Sequence, residues 1–323
     1  MARHTVNREI GVSVVIPTHN TRALTLDCLA TLLAAQDPPE EILVVDDGSE
    51  DGTLEAIQSR FPTVRILRHE SPLGFTAAAN AGLRAASSEI LLLLNSDTQI
   101  APTALEPLRS AFADNARLGI AGAELVYPDG RPQWSGGGEP SLLWLWTLSS
   151  GITSLLARIP GYRQLRPLWG DSQRKVAWVT GAAMAMRHEV WEELGPLDER
   201  FRFYAQDLDL CTRATAADWS VELIHGCRVM HHHGATIRKA GGAGQHQHPE
   251  FLWTDLLLWA HKQKGGAWAR RARSVLRCGG RLRVLGRTLW TPCIPPSSRG
   301  QWKSESESFR RALAAVRSVQ LPA

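Results

Sequence analysis

Apolar residues in the first hundred positions come in short runs that end on polar ones. In ILLLLNSDTQI, Ile90 to Ile100, five aliphatic residues stop abruptly at Asn95, Ser96 and Asp97. A run this short with no polar alternation has the pattern of a central strand covered on both faces. Asp97 then emerges at the carboxyl end of a strand, where open α/β sheets bind ligands. Upstream, Val12 to Ile16 is a β-branched run closed by Pro17 and followed by the polar turn Thr18, His19, Asn20. Leu26, Leu29, Leu32 and Leu33 recur at helical spacing from Arg22 onward, and Pro38-Pro39 ends that helix. Ile42 to Val45 reads as a second strand running into Asp46-Asp47-Gly48-Ser49, and Asp51-Gly52-Thr53 opens the next helix. Val64 to Leu67 reads as a third strand, and Leu73-Gly74-Phe75 leads into a helix holding Asn80, Gly82 and Arg84. Such alternation predicts an α/β fold with a largely parallel sheet and right-handed crossovers.

The second half is less regular. Tyr127-Pro128-Asp129-Gly130 has hairpin-turn composition, and Gly136-Gly137-Gly138 reads as a flexible join. Ser141 to Pro160, SLLWLWTLSSGITSLLARIP, is rich in leucine and tryptophan but too short and interrupted to span a bilayer. It fits a buried helical hairpin, an interfacial membrane patch or an oligomer contact. After the strand-like Val176 to Val179, the small residues Thr180-Gly181-Ala182-Ala183 admit close approach of the backbone to a ligand. Gly195 to Glu199 reads as a turn. Asp198 lies close before FRFYAQDLDL, Phe201 to Leu210, which contains Asp207 and Asp209; these two share a face if extended and diverge on a helix. His231 and His233, flanking His232 before Gly234-Ala235-Thr236, share one side of an extended chain. Gly241 to His248, GGAGQHQH, reads as a closing loop or a bare linker.

With 323 residues, 44% hydrophobic and 21% charged, the composition is that of a folded globular chain rather than a disordered one. Five scattered cysteines without a CxxC pair indicate neither a disulfide framework nor a zinc ribbon, which fits a reducing cytoplasm. The N-terminal residues offer no signal-peptide core, and no stretch of about 18 apolar residues follows, so neither secretion nor a transmembrane helix is expected. A net charge of +4 conceals an asymmetry. Between Asp255 and Glu305 there is no acid, while Lys262, Lys264, Arg270, Arg271, Arg273, Arg277, Arg281, Arg283, Arg287, Arg299 and Lys303 supply eleven positive charges. Interleaved with Trp259, Trp268, Leu276, Leu282, Leu285 and Trp290, this block predicts attraction to an anionic membrane surface, the alternative being a solvated basic helix. No nucleic-acid motif accompanies it, and no nucleic-acid partner is expected.

The chemistry concentrates at the strand tips. A carboxylate on a rigid strand end suits a divalent cation, which makes Asp97 the first candidate metal ligand. Neither GxGxxG nor GxxxxGK[ST] follows the first strand, so the nucleotide grip must differ from those of the common phosphate loops. Pro17 to Asn20, Asp46 and Asp47, and Asn95 to Asp97 converge if their strands are neighbours. One carboxylate near a base N–H or the ribose hydroxyls, and another on a diphosphate-bound cation, serve a nucleotide diphosphate. A zinc site from His225, Cys227, His231 and His233 matches no standard spacing.

In this order, VSVVIPTHN, ILVVDDGSEDGT, LGFTAAANAGL and LLLLNSDT resemble the GT-A glycosyltransferases of family 2. VTGAAMAMRHEVWEELGPLDERFRFYAQDLDLCTRA and HHHGAT resemble the branch containing the bacterial rhamnosyltransferases of surface-polysaccharide assembly. The resemblance covers about residues 11 to 236 and implies a GT-A domain over 1–250, with a possible acceptor-side or interfacial insert at 139–175. A basic helical extension over 251–323 follows. It further implies inverting transfer of a sugar from a nucleotide diphosphate sugar, dTDP-rhamnose first and then a UDP-sugar, to a hydroxyl of a lipid-linked or polysaccharide acceptor. The setting is the cytoplasm, at the inner face of the membrane. Mg²⁺ or Mn²⁺ is expected on Asp97 and His231, with Asp207 as catalytic base. Gln206 stands where the family usually has Glu, and Gln206 and Asp209 are expected on the acceptor side. Donor contacts fall on Pro17, Thr18, Asn20, Asp46, Asp47, Gly74, Asn80, Asn95, Ser96, Gly181 and Ala182. A catalytically weak sugar-nucleotide-binding protein and a membrane-docking adaptor of polysaccharide machinery are the competing classes.

Overall fold

Short aliphatic runs become buried strands, and the polar residues after them become the loops at one end of the sheet. The computed structural model describes residues 10–152, 175–201, 203–232 and 248–321. His233, the loop 241–247 and most of the 139–175 insert lie outside the described residues. The contacts divide the chain into two compact units. One comprises Met1–Gly137, Gly170–Leu197 and Leu210–His232; the other comprises Gly138–Trp169, Asp198–Asp209 and His233–Ala323.

In the first unit the chain runs β1 (Val12–Thr18), α1 (Arg22–Leu33), β2 (Glu41–Asp47), α2 (Thr53–Arg60), β3 (Arg65–His69), α3 (Phe75–Ala85) and β4 (Ile90–Leu94). It continues through β5 (Thr98–Ile100), α4 (Leu105–Asp114), β6 (Leu118–Val126) and β7 (Gly136–Gly137). Helix α5 (Leu142–Ser150) belongs to the second unit. The first unit resumes with β8 (Trp178–Val179), β9 (Ala183–Arg187) and α6 (His188–Leu194). Helix α7 (Gln206–Ala216) then precedes β10 (Ser220–His231). The main sheet has the order β3-β2-β1-β4-β9-β6-β10-β5. Strands β3, β2, β1 and β4 are parallel, as the alternating pattern predicts; β9 is antiparallel to β4 and β6, and β5 is antiparallel to β10. Every residue of β1 and β4 is buried, and the two strands lie inside the sheet between β2 and β9. A Cβ at Gly82 would collide with Val15 and Val45, so α3 lies flush on β1 and β2 only because that position is glycine.

One expectation is corrected. Gly136 and Gly137 are not a flexible join: both are buried in β7, paired antiparallel with β8, and a Cβ at Gly136 would run into the Trp178 carbonyl. Glycine is required there by close approach, which sequence alone does not separate from flexibility.

The second unit gathers segments distant in sequence. Its C-terminal part contains α8 (Pro249–Lys264), α9 (Gly266–Trp290) and α10 (Arg299–Ser318). Ala269, Ala272, Leu276, Gly279 and Gly280 form the buried stripe of α9. Gly279 faces Ser149 and Ser150 of α5, and Gly280 faces Trp253 of α8 and Leu313 of α10, so small residues let the helices approach closely. The basic block of the sequence splits in two here. Arg273 donates to the Val319 carbonyl, Arg283 stacks 3.8 Å over Phe309, and Arg287 pairs with Glu305 at 2.9 Å and stacks over Trp302. These arginines hold the bundle together, and burial pushes the Arg283 guanidinium down to about 10. Among the described residues, no helix is long and apolar enough to cross a membrane.

Candidate functional site

Parallel pairing of β2, β1 and β4 places their carboxyl ends side by side, so the three polar tips meet at one end of the sheet. A buried hydroxyl network joins them. Thr18 Oγ1 lies 2.7 Å from Thr21 Oγ1 and 2.8 Å from Thr25 Oγ1, and Thr21 Oγ1 lies 3.0 Å from Ser96 Oγ. Asn20 takes the left-handed conformation (φ 53°); its N–H donates to Ser49 Oγ and its Oδ1 accepts from the Glu50 N–H. These bonds fasten the first tip to the second.

The two aspartates of the second tip do different things. Asp47 accepts from the Leu73 and Gly74 N–H groups at 2.9 and 2.8 Å, and its Oδ1 lies 2.7 Å from His69 Nδ1; it therefore shapes the loop leading into α3. Asp46 is fully buried; Oδ1 accepts from the Ser49 N–H, whereas Oδ2 has no hydrogen-bond partner and only a long ion pair with Arg68 Nε at 3.8 Å. A buried carboxylate oxygen left without a donor is costly, and a donor such as a base N–H satisfies it. Asn95 Oδ1, on the third tip, is likewise buried and unsatisfied. The Asn95 N–H donates to the Ala182 carbonyl at 3.0 Å, which brings the Gly181-Ala182 segment against the same tip. Asn80 instead uses its amide on the backbone of Leu197, donating at 2.9 Å and accepting at 3.0 Å. Fully buried, it positions the Gly195–Leu197 turn.

Asp97 and His231 come together. Both are buried, with His231 Nε2 3.3 Å from Asp97 Oδ1, and the His232 N–H donates to the Asp97 carbonyl. Gln133, which the sequence did not single out, sits behind the ring. Its Oε1 lies 3.0 Å from His231 Nδ1, while its Nε2 donates to the His231 carbonyl at 2.6 Å. A carboxamide oxygen only accepts, so Nδ1 carries the proton and, in the neutral ring, the Nε2 lone pair faces Asp97. Two acceptors facing each other at this distance suit a divalent cation. A histidine oriented through its other nitrogen is the usual arrangement of a metal ligand. Among the described residues no group of three His, Cys, Asp or Glu side chains forms a metal cluster.

In the second unit, Asp207 lies in the first turn of α7, and its Oδ1 accepts from the Leu208 N–H at 2.8 Å. The stretch is helical from Gln206, so Asp207 and Asp209 point apart. Asp209 is fully buried and held by Lys262 Nζ at 2.8 Å and Gln263 Nε2 at 2.7 Å. Lys262 also reaches Asp198, which Arg200 and Lys262 together hold well below the usual carboxylate range. Asp255, buried on α8, accepts from the Phe203 and Tyr204 N–H groups at 3.1 and 2.9 Å. Ala205, just before Gln206, is left-handed at φ 65°. An alanine persists in that conformation only where its surroundings over-determine it, and Asp255, Lys262 and Gln263 are those surroundings. Gln206 is buried, its amide donating to the Phe203 carbonyl. A neutral side chain needs no counter-charge at that position, although its Oε1 is buried without a hydrogen-bond partner among the described residues.

The sequence profile of Glycosyl transferase family 2 matches residues 13–191. Among curated proteins, the N-acetylglucosaminyl-diphospho-decaprenol L-rhamnosyltransferase of Mycobacterium tuberculosis is 30% identical over 222 residues, covering 63% of this chain and 70% of the relative. The O-antigen biosynthesis protein RfbC of Myxococcus xanthus is 28% identical over 250 residues, which span 73% of this chain but only 18% of that protein. Among solved structures, the mannosyltransferase PcManGT from Pyrobaculum calidifontis in complex with GDP-Man and Mn²⁺ aligns with a TM-score of 0.58 at 15% identity. That alignment covers 96% of this chain and 87% of PcManGT. GalNAc-T7 with UDP, GalNAc and Mn²⁺ aligns with a TM-score of 0.53 at 18% identity, over 69% of this chain and 43% of that one. At such identities these likenesses show the GT-A fold.

Proposed function

Because the chain belongs to glycosyl transferase family 2 and transfers a sugar from a nucleotide sugar, we propose that the reaction is metal-dependent and inverting. The donor in this reading is dTDP-rhamnose, with a UDP-sugar as the next candidate. The acceptor is a hydroxyl of a lipid-linked saccharide, met at the cytoplasmic face of a membrane. The rhamnosyl group and the lipid-linked acceptor follow the name of the mycobacterial relative, an N-acetylglucosaminyl-diphospho-decaprenol L-rhamnosyltransferase, and the dTDP carrier follows the family resemblance alone. The observation that carries the reading is the buried Asp97–His231 pair with Gln133 behind it. Asp97 and His231 would hold Mg²⁺ or Mn²⁺. When bound, such a cation neutralises charge developing on the departing diphosphate. Asp46, through its unsatisfied Oδ2, accepts from the base or ribose, and Asn95 orients the ribose or a bound water. Asp207 removes the proton of the acceptor hydroxyl as that oxygen attacks the anomeric carbon opposite the diphosphate.

The test is incubation of the protein with Mn²⁺, dTDP-rhamnose or a UDP-sugar, and a prenyl-diphospho-N-acetylglucosamine acceptor, with the product examined by NMR. Transfer of rhamnose with inverted anomeric configuration is expected. Retention of configuration, or equal transfer in EDTA, contradicts the proposal. Gln133→Leu is expected to weaken Mn²⁺ binding about 10- to 100-fold, the usual loss when a ligand's orienting partner is removed. Mn²⁺ titration followed by electron paramagnetic resonance reads this directly, and wild-type affinity in the variant removes Gln133 from the site.

A further inference from the structure

The C-terminal half of α9 carries an apolar face that nothing in the described residues covers. Leu282, Leu285, Leu289 and Trp290 are 50%, 56%, 70% and 61% exposed. Cys278, also exposed, precedes them at the spacing that puts 278, 282, 285 and 289 on one side of a helix. From Cys278 to Trp290 the stripe is roughly 18 Å long. Arg271 and Arg281 are exposed and have no acidic partner among the described residues. Where α9 ends, an open cleft of about 950 Å³ lies between it and α10, lined by Thr288, Thr291, Arg299, Lys303, Glu307 and Arg310. Only Glu307 opposes three cations there, and it pairs with Arg310 at 3.3 Å.

We propose that this face is a docking surface for an anionic lipid bilayer. Leu282, Leu285, Leu289 and Trp290 enter the headgroup boundary, and Arg299 and Lys303 receive a lipid phosphate in the adjoining cleft. The stripe is too short and the chain around it too charged for a span, so the helix lies in the plane of the surface. Charge decides the occupant. A second copy of the chain would set Arg271 and Arg281 against like charges with no acid on the stripe to answer them, whereas an anionic surface answers all of them. The division of the basic block supports the same assignment. Arg273, Arg283 and Arg287 are committed to the bundle, and the exposed cations that remain flank the apolar stripe and line the cleft. This inference does not rest on sugar transfer and survives its failure.

Full-length protein without nucleotide is mixed with phosphatidylcholine vesicles and with vesicles containing phosphatidylglycerol, and bound protein is sedimented. Binding to the anionic vesicles, falling as salt rises, is expected. Leu285→Glu with Leu289→Glu should lower it at least about tenfold, since a charge replaces each inserted side chain. Arg299→Ala with Lys303→Ala should lower the preference for phosphatidylglycerol while leaving circular dichroism unchanged. The native cysteines provide a second readout. Cys28, Cys211 and Cys227 are buried, with burial pushing the Cys28 and Cys227 thiols up to about 12, so a polarity-sensitive maleimide dye reports from Cys278 and Cys293. Its emission should shift to the blue on anionic vesicles. Three results overturn the proposal: no binding to either vesicle, equal binding to both, or a dimer in light scattering that the Leu285→Glu, Leu289→Glu variant dissolves.

Discussion

Asp207→Asn is expected to lower turnover at least about a hundredfold while donor and Mn²⁺ binding stay at wild-type strength. The substitution keeps size and shape and removes the charge and the ability to accept a proton. Surrounding structure argues that the loop stays in place. Asp255 holds the Phe203 and Tyr204 N–H groups, Lys262 and Gln263 hold Asp209, and the Oδ1 that accepts from the Leu208 N–H is kept in asparagine. Asp209→Asn separates this role from its neighbour's: it breaks a buried ion pair and is expected to lower stability rather than abolish chemistry in protein that remains folded. Rapid-mixing assays of transfer, with nucleotide titrations on the same preparations, check both. Near-normal turnover in Asp207→Asn removes it as the base.

Asp97→Ala carries the second large effect: nucleotide affinity in Mn²⁺ is expected to fall at least about tenfold, toward the value in EDTA. Asp97 Oδ1 and His231 Nε2 face each other at 3.3 Å, and removal of the carboxylate leaves the imidazole as the sole protein ligand of the pair. Calorimetric titration of the variant with and without Mn²⁺ reads the change. An unchanged Mn²⁺ dependence returns Asp97 to a residue that ends a strand.

The parallel half of the sheet was legible because each run of buried aliphatics stops at a polar tip, and the stop marks the ligand end of the strand. That logic fails for β9 and β5. Both run antiparallel at positions where the sequence has small or mixed residues, and strand direction leaves no trace in hydrophobic patterning. It fails also for Gly136 and Gly137, where close approach and flexibility call for the same residue. At the site, Asp97 could be found because a carboxylate at a strand end carries a chemical signal. Gln133 could not, since a neutral amide 98 positions from His231 has meaning only once β10 and the loop after β6 are placed together. The same holds for Asp209. Beside Asp207 in the sequence it looks like a second functional acid, and only the contact with Lys262, 53 residues away, gives it a structural partner. Beyond the boundary that the resemblance implies near residue 250, Asp255, Lys262 and Gln263 of α8 hold the residues on either side of Asp207, contacts that no local pattern announces. Charge patterning identified the C-terminal block as basic without separating the arginines that tie helices together from those that face solvent.

In the proposed reaction the strand tips bind a nucleotide diphosphate through a cation held by Asp97 and His231. Calorimetric titration of the protein with dTDP and with UDP, each in Mn²⁺ and in EDTA, tests this most directly. At least one of the two is expected to bind in Mn²⁺, with EDTA removing most of that binding. Equal affinity in Mn²⁺ and EDTA, or no binding of either nucleotide in Mn²⁺, contradicts it.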